Sequence, residues 1–295
     1  MTKATRVSRM FIIIKPLKPV SFRWGGEFSP TLSGPMNKGV SEPLPLPSTI
    51  AGFIYSITHG GGKREDLTEL SLEKESVKVK LWGPLLYHKG KYYAHSYPGK
   101  LIELDNWELK LNEDGKVEEI EAIDLLGVTN KIGIGIKFDS KSVIDKLLYT
   151  QQLIKIEGGI IVEVEQEVKE GYYTMGGESS IVKVEPWEFA PPESGKYGLV
   201  ISPIILSPIE KVISVDDLYD AEIEGCGKLG DVIVKGLPVK IGLIGLGFNI
   251  AYNVRRPIYP AILPGSVLKC NKRGNVGKFT GWGSILPVKV RTSQS

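Results

Sequence analysis

Between Lys269 and Val290 runs the stretch "KCNKRGNVGKFTGWGSILPVKV", in which Gly274, Gly277, Gly281 and Gly283 alternate with Lys272, Arg273 and Lys278. Glycine permits positive φ and close backbone approach, so successive N–H groups can turn inward as an anion-binding nest that the three cations would reinforce. A plain hairpin uses the same glycines. A nucleotide loop does not fit: G-x-x-x-x-G-K-[ST] is absent. Gly283 leads into "SILPVKV", a strand carrying Pro287 rather than a helix whose N-terminus would hold a phosphate. Upstream, Gly245-Leu246-Gly247 begins a G-x-G but has no third glycine and no acid about 20 positions on, which removes a dinucleotide fold.

The histidines are His59, His88 and His95. None has HxH or HExxH spacing, so no metal site is expected. His59, at a glycine-rich helix end, would serve either as a general base for metal-free RNA cleavage or as a cap on the helix's carboxyl end. His88 and His95 lie beside Tyr87, Tyr92, Tyr93 and Tyr97, rings that stack bases or simply pack on a strand face. There is no G-x-S-x-G elbow, and Asp216-Asp217 sit in a polar segment. No active site assembles. That favours a binding protein.

Charge is distributed in blocks. Met1 to Arg64 carries nine cations and two acids, Val232 to Ser295 ten cations and no acid, and the middle 18 cations and 32 acids. Such blocks predict a polyanion-binding face built from the two ends, with the acidic middle turned to protein or solvent; charges scattered by accident of composition are the alternative. Arg255 and Arg256, before Pro257, are read as phosphate contacts or as a solvated turn. The 295 residues, 42% hydrophobic and 24% charged, suit one large or two moderate globular domains. Val239 to Tyr252 is glycine-broken and too short for a membrane span, and "MFIII" too short for a signal peptide, so a cytoplasmic location is expected. Cys226 and Cys270 allow one disulfide but no zinc ribbon. Abundant Lys, Glu and Ile with few Gln, Cys and Met hint at a heat-adapted source.

The elements that must position these residues are mostly strands. "RMFIIIKPLKPVSFR" reads as a buried strand stopped by Pro16 and Pro19, and 25–47 as a Gly/Pro-rich loop. Ser48 and Thr49 would cap a helix whose Ile50, Phe53, Ile54 and Ile57 form one apolar stripe. Further strands are expected over "SVKVKLWGPLLYHKGKYYAHSYP", "NKIGIGIKFDSKSV" (one side of a hairpin arm), "GGIIVEVEQEV" and "GYYTMGGESSIVKVEPWEF", with a turn at Asp114-Gly115. "EPWEFAPPESGKY" has linker texture, and "YGLVISPIIL" restarts as a strand. This is a β-rich α+β protein of two units, 1–190 and 191–295.

Several segments together resemble one family, the third subunits of Cmr (type III-B CRISPR) effector complexes, within the repeat-associated (RAMP) superfamily. "FRWGGEF" and "PLPLPSTIAGFIYS" resemble its start, "KIGIGIKFDSKSVIDKLLYTQQLI" its arm, and "MGGESSIVKVE" its GGE turn. "RRPIYPAILPGSVLKC" resembles its "PAGSV" strand, and "GNVGKFTGWGSILPV" its C-terminal glycine-rich loop. The resemblance implies two ferredoxin-like (RRM-type) units, no catalytic activity and no cofactor. It implies a grip on the 5′ tag of the crRNA and a thumb hairpin around 128–149 that wedges between guide and target RNA. It also implies, as neighbours, the large polymerase-like subunit and RAMP backbone subunits. The type III-A counterpart shares most of these features. The RNA-binding set is then Lys15, Arg23, Ser48, Thr49, Lys131, Gly176, Gly177, Arg255, Arg256, Lys272, Arg273, Gly274, Gly277, Lys278, Gly281 and Gly283. Rival readings are a metal-independent endoribonuclease acting on CRISPR repeat RNA through His59, and a β-rich interaction protein with no RNA role.

Overall fold

A computed structural model describes residues 9–24, 38–58, 80–136, 143–176, 180–206, 218–245, 248–249, 254–255, 258–277 and 281–291. The first strand, β1 (Met10–Pro16), carries Ile12, Ile13 and Ile14, all fully buried, because both faces of the sheet it joins are covered. After β2 (Lys38–Gly39) comes helix α1 (Pro47–Thr58). It starts one residue before Ser48, since Pro47 is pre-set for a first helical position and has no N–H to leave unpaired. Ser48 and Thr49 therefore lie inside the first turn rather than capping it, and the Thr49 N–H donates to the Leu46 carbonyl at 3.0 Å. The predicted stripe is correct: Ile50, Phe53 and Ile54 are buried and Ile57 packs beside them.

Strands β3 (Leu81–His88), β4 (Lys91–Ser96), β5 (Lys100–Glu103), β6 (Glu108–Lys110) and β7 (Ile120–Glu121) lead to the short helix α2 (Ala122–Leu125). The hairpin arm comes next as β8 (Gly127–Ile136) and β9 (Val143–Lys155), antiparallel from Gly127↔Lys155 to Ile136↔Val143. β10 (Gly158–Val164), β11 (Gly171–Met175) and β12 (Ser180–Pro186) complete this half. The large sheet has the order β11-β12-β1-β10-β3-β4-β5-β7. On one face Ile12, Ile14, Ile160, Val162, Leu86 and Leu101 pack under α1; on the other Ile13, Ile161, Leu85 and Ile102 meet the second half of the chain.

That half contains β13 (Tyr197–Val200), β14 (Ile204–Ile205), β15 (Glu222–Ile223), β16 (Gly227–Lys228), β17 (Ile241–Gly245), β18 (Phe248–Asn249) and β19 (Val254–Arg255). It ends with β20 (Ile258–Ile262), β21 (Val267–Leu268), β22 (Gly274–Asn275) and β23 (Ser284–Arg291). The order β21-β13-β23-β22 forms a second sheet, and β23 also pairs in parallel with β6 from the first half. Leu199, Ile201, Val267, Leu286 and Val288 share one core with Ile13, Leu85 and Ile102. The predicted linker is not loose. Trp187 and Phe189 join Tyr87, Tyr92 and Trp107 in an aromatic cluster, because large rings left on a half-covered sheet face bury against one another. Cys226 and Cys270 are joined as a disulfide, with Cα atoms 5.4 Å apart. The architecture is strand-rich α+β, and among the described residues no helix is long and apolar enough to cross a membrane.

Candidate nucleic-acid interface

Some of the expected RNA-binding residues line two clefts near opposite ends of β1: Arg23, Thr49 and Gly176 one, and Arg273, Gly274, Gly277 and Gly281 the other. The first, of about 320 Å³, is lined by Pro16, Ser21, Arg23, Thr49, Gln151, Met175, Gly176 and Ser180, among others. It forms where the chain leaves β1, bridges β9 (Val20↔Ile154) and then meets Glu42 (Phe22↔Glu42). The hairpin β11–β12 supplies Gly176, whose φ of +75° is a left-handed turn conformation that glycine takes without strain. Helix α1 brings its first turn, with Thr49 and no acidic residue, so the positive end of its dipole is uncompensated within that turn. Lys131 is exposed on β8 directly opposite Gln151, which puts a cation at the rim. Arg23, exposed, stands at the mouth. Four segments far apart in sequence thus bring a cation, a helix N-terminus and an open glycine turn to one place.

Beneath it lies a buried polar support. His95 Nε2 bonds Glu42 Oε2 at 2.9 Å, and the same carboxylate oxygen accepts the Gly99 N–H at 2.8 Å. The Trp24 indole packs edge-on against His95, stacks on Tyr97, and donates to the Leu44 carbonyl. Burial pushes the His95 pKa down, and the Glu42 carboxylate only partly offsets this. His88 is also buried and lowered by desolvation. Tyr93 is in the core, Tyr97 stacks on Trp24, and Tyr87 and Tyr92 pack in the aromatic cluster, so these rings are packing residues.

The second cleft, about 460 Å³, is lined by Arg9, Lys80, Trp82, Glu163, Glu165, Glu224, Arg273, Gly274, Asn275, Gly277 and Gly281, among others. The glycine-rich segment does sit between strands, with Gly274↔Ile285 and Asn275↔Ser284 paired across β22 and β23. It is fastened to the large sheet: the Trp82 indole donates to the Ile285 carbonyl at 2.9 Å and the Gly83 N–H to Ser284 Oγ at 3.1 Å. Gly283 has φ +66°, and a Cβ there would stand 2.1 Å from the Val276 carbonyl oxygen.

Here the charge map read along the chain needs correction. The acidic middle is not turned away; it meets the basic C-terminal block. Arg273, its side chain 10% exposed, is ion-paired with Glu163 at 2.5 Å and with Glu193 at 2.7 Å, and lies over the rings of Trp82 and Phe11. Lys240 donates to Glu119, Ser96 Oγ and the Tyr97 carbonyl. Although burial opposes it, these bonds from Lys240 and Ser96 hold the Glu119 carboxyl below the usual carboxylate range. Arg9 and Lys80 share Glu165. Unpaired buried charge is costly, so a strand-rich core that brings distant segments together also brings their charges together.

The remaining expected residues scatter. Lys15 pairs with Glu185 and covers Trp187, away from both clefts. Lys272 is exposed and bridges Ser194. Arg255 ends β19, and Ser48 precedes Thr49 in α1. Gly177, Arg256, Lys278 and His59 lie outside the described residues. Sequence reading passed over Ser21, Gln151 and Ser180. Gln151 sits in a strand whose partner register, not its own pattern, puts it at the cleft, so no local signal marked it.

No protein-family model matches the chain. A curated protein of Saccharolobus solfataricus, "CRISPR system CMR subunit Cmr3", is 28% identical over 281 residues, covering 88% of this chain and 85% of its own. Among solved structures, a chain of the type III-B Cmr-beta complex bound to cognate target RNA is 25% identical with a TM-score of 0.57, covering 88% of this chain and 86% of that one. The same complex with target RNA and AMPPnP gives 24% identity and a TM-score of 0.57, over 88% and 85%. The resemblance read from the motifs is borne out: over most of its length the chain is similar to a third subunit of the type III-B Cmr complex.

Proposed function

We propose that the chain is a non-catalytic RNA-holding subunit of a type III-B CRISPR effector complex. It grips the 5′ tag of the crRNA and bridges the large polymerase-like subunit to the RAMP backbone subunits. The observation that carries this reading is the convergence of Arg23, Thr49 and Gly176, with Lys131 at the rim, on one cleft in a chain similar over most of its length to Cmr3. A protein that holds RNA without cutting it needs cations for phosphate, N–H groups for oxygen, and room for splayed bases. The first cleft supplies all three. The glycine-rich hairpin adds a backbone surface, and the β8–β9 hairpin is the thumb, reaching between guide and target RNA. Two ferredoxin-like units, 1–190 and 191–295, are the proposed evolutionary units, sharing the core in which Leu286 meets Leu85.

The test is binding of labelled crRNA by the full chain, alone and with the large subunit. Replacing Arg23 and Lys131 with alanine is expected to weaken binding and flatten its dependence on salt, by a slope of about one per cation removed. Cleavage of repeat RNA in EDTA, abolished by His59→Ala, would replace this reading with the endoribonuclease. Tight crRNA binding that ignores both cations would remove the cleft from it.

A further inference from the structure

The disulfide joins a turn that the sheets do not hold to a segment that they do. Cys270 follows β21 and is buried. It packs so closely on β13 that a Cβ on Gly198 would stand 2.0 Å from the Cys270 carbonyl oxygen. Three residues on, the Arg273 N–H donates to the Glu193 carbonyl at 3.0 Å. Cys226 is half-buried in the turn between β15 and β16, a hairpin that pairs with no further strand among the described residues. Besides the disulfide, the turn meets the glycine-rich segment through the Gly277 N–H, which donates to the Glu224 carbonyl at 2.8 Å. Glu224 lines the second cleft together with Gly274, Asn275 and Gly277. A covalent bond therefore fixes the turn that forms one wall of that cleft. The chain has two cysteines, so reduction leaves no other intramolecular pairing to form.

We propose that the Cys226–Cys270 disulfide is a redox-operated clamp on the second cleft. Oxidised, it holds Glu224 against Gly277; reduced, it lets the β15–β16 turn move off the glycine-rich segment. The reductant is a small dithiol. One of its thiolates attacks the sulfur of Cys226, the more exposed of the pair, and the S–S bond breaks with Cys270 leaving as a thiolate. The second thiolate of the reductant then displaces Cys226 from the mixed disulfide. Two electrons pass to the protein sulfurs, the two protons of the dithiol end on Cys226 and Cys270, and the dithiol becomes a cyclic disulfide. Ile223, fully buried ahead of the turn, shares a core with Leu229, Val232 and Val276 and keeps the hairpin in place. The loosening is thus local, confined to 224–227 and the Gly277 amide that bonds there, as expected where few other contacts hold a turn. The clamp goes beyond the RNA-holding reading and stands whether or not that reading does.

The expressed full chain is first unfolded with its free thiols blocked at lysis. No blocked cysteine before reduction and two after it are expected; two at the outset overturn the clamp. The folded chain is then followed by amide hydrogen exchange with and without dithiothreitol. Reduction should speed exchange at Gly277 by about tenfold or more and leave β1 and β10 unchanged, and reoxidation should reverse it. Cys226→Ser without reductant should reproduce the fast exchange, with dithiothreitol adding nothing. Reduction of the wild-type chain needs no substitution, so the test stands even if Cys226→Ser does not fold. A disulfide that resists dithiothreitol in the folded chain, exchange at Gly277 that ignores reduction, or acceleration shared equally by β1 overturns the proposal.

Discussion

The two clefts contain similar parts and use them differently. Each has an arginine, a positive-φ glycine turn and strands of the large sheet. In the first, Arg23 is exposed and Gly176 has open space around the position of a Cβ. In the second, Arg273 is clamped between two carboxylates and two rings, and Gly283 presses against the Val276 carbonyl. The glycine-rich hairpin is therefore built for rigidity, with its most buried cation engaged in the fold, whereas the first cleft keeps its arginine at the surface. Composition alone cannot separate these two uses. Whether an arginine faces solvent or sits between carboxylates is settled by folding, not by its neighbours along the chain.

Substitutions that trade stability against binding distinguish the two clefts. Arg273→Leu leaves Glu163 buried without a counter-charge and is expected to cost about 3–5 kcal/mol in chemical denaturation, part of it restored by adding Glu163→Gln. A loss under about 1 kcal/mol would mean that Arg273 is a surface cation after all. Gly283→Ala should cost about 2 kcal/mol or more, because it adds a clash to an unfavourable φ. Gly176→Ala, which meets only the φ penalty, should cost about 1 kcal/mol. Equal losses at the two glycines would erase the contrast between them.

His95 ties the first cleft to pH. Its folded pKa lies below the ordinary value of 6.5, so the unfolded chain takes up the proton first. Stability from burying neutral His95 is then fully present above 6.5 and falls as pH drops below it. A melting temperature followed from neutral to mildly acid pH should decline on that limb, and His95→Gln should flatten it, leaving the share from His88. A flat wild-type limb would place the imidazole in solvent. The smallest stability effect is expected for Arg23→Ala, within about 0.5 kcal/mol, while the salt dependence of RNA binding drops by about one unit of slope. Arg273→Leu should do the reverse: a large loss of stability with the salt slope kept in whatever fraction stays folded.

Much of the local structure was legible because periodicity is a local property. The stripe Ile50–Phe53–Ile54 announced α1, and the hairpin β8–β9 and the glycine turn of β11–β12 were readable from alternation and glycine placement. Pro47 moved the start of α1 only because its ring prefers the first helical position. The pairing of β23 with β6 was not readable, since a parallel contact between strands so far apart leaves no mark in either. The same holds for Gln151, which is one of two adjacent glutamines until the register of β9 decides which faces the cleft.

By itself the sequence determined the strand-rich class, the placement of its glycine turns, the absence of a nucleotide loop and the order of motifs that resemble the Cmr third subunits. These depend on residue type and spacing within a few turns of chain. Only the tertiary structure decided which charges meet a counter-charge in the interior and which reach the surface. Coulomb interactions act through space, and folding places Glu163 and Glu193 beside Arg273 although each lies at least 80 positions away along the chain. The acid-free C-terminal block is basic along the chain, yet its Arg273 and Lys240 are neutralised in the fold. Arg23, Thr49 and Gly176, by contrast, become one site because the segment after β1, the first turn of α1 and the β11–β12 turn line the same cleft.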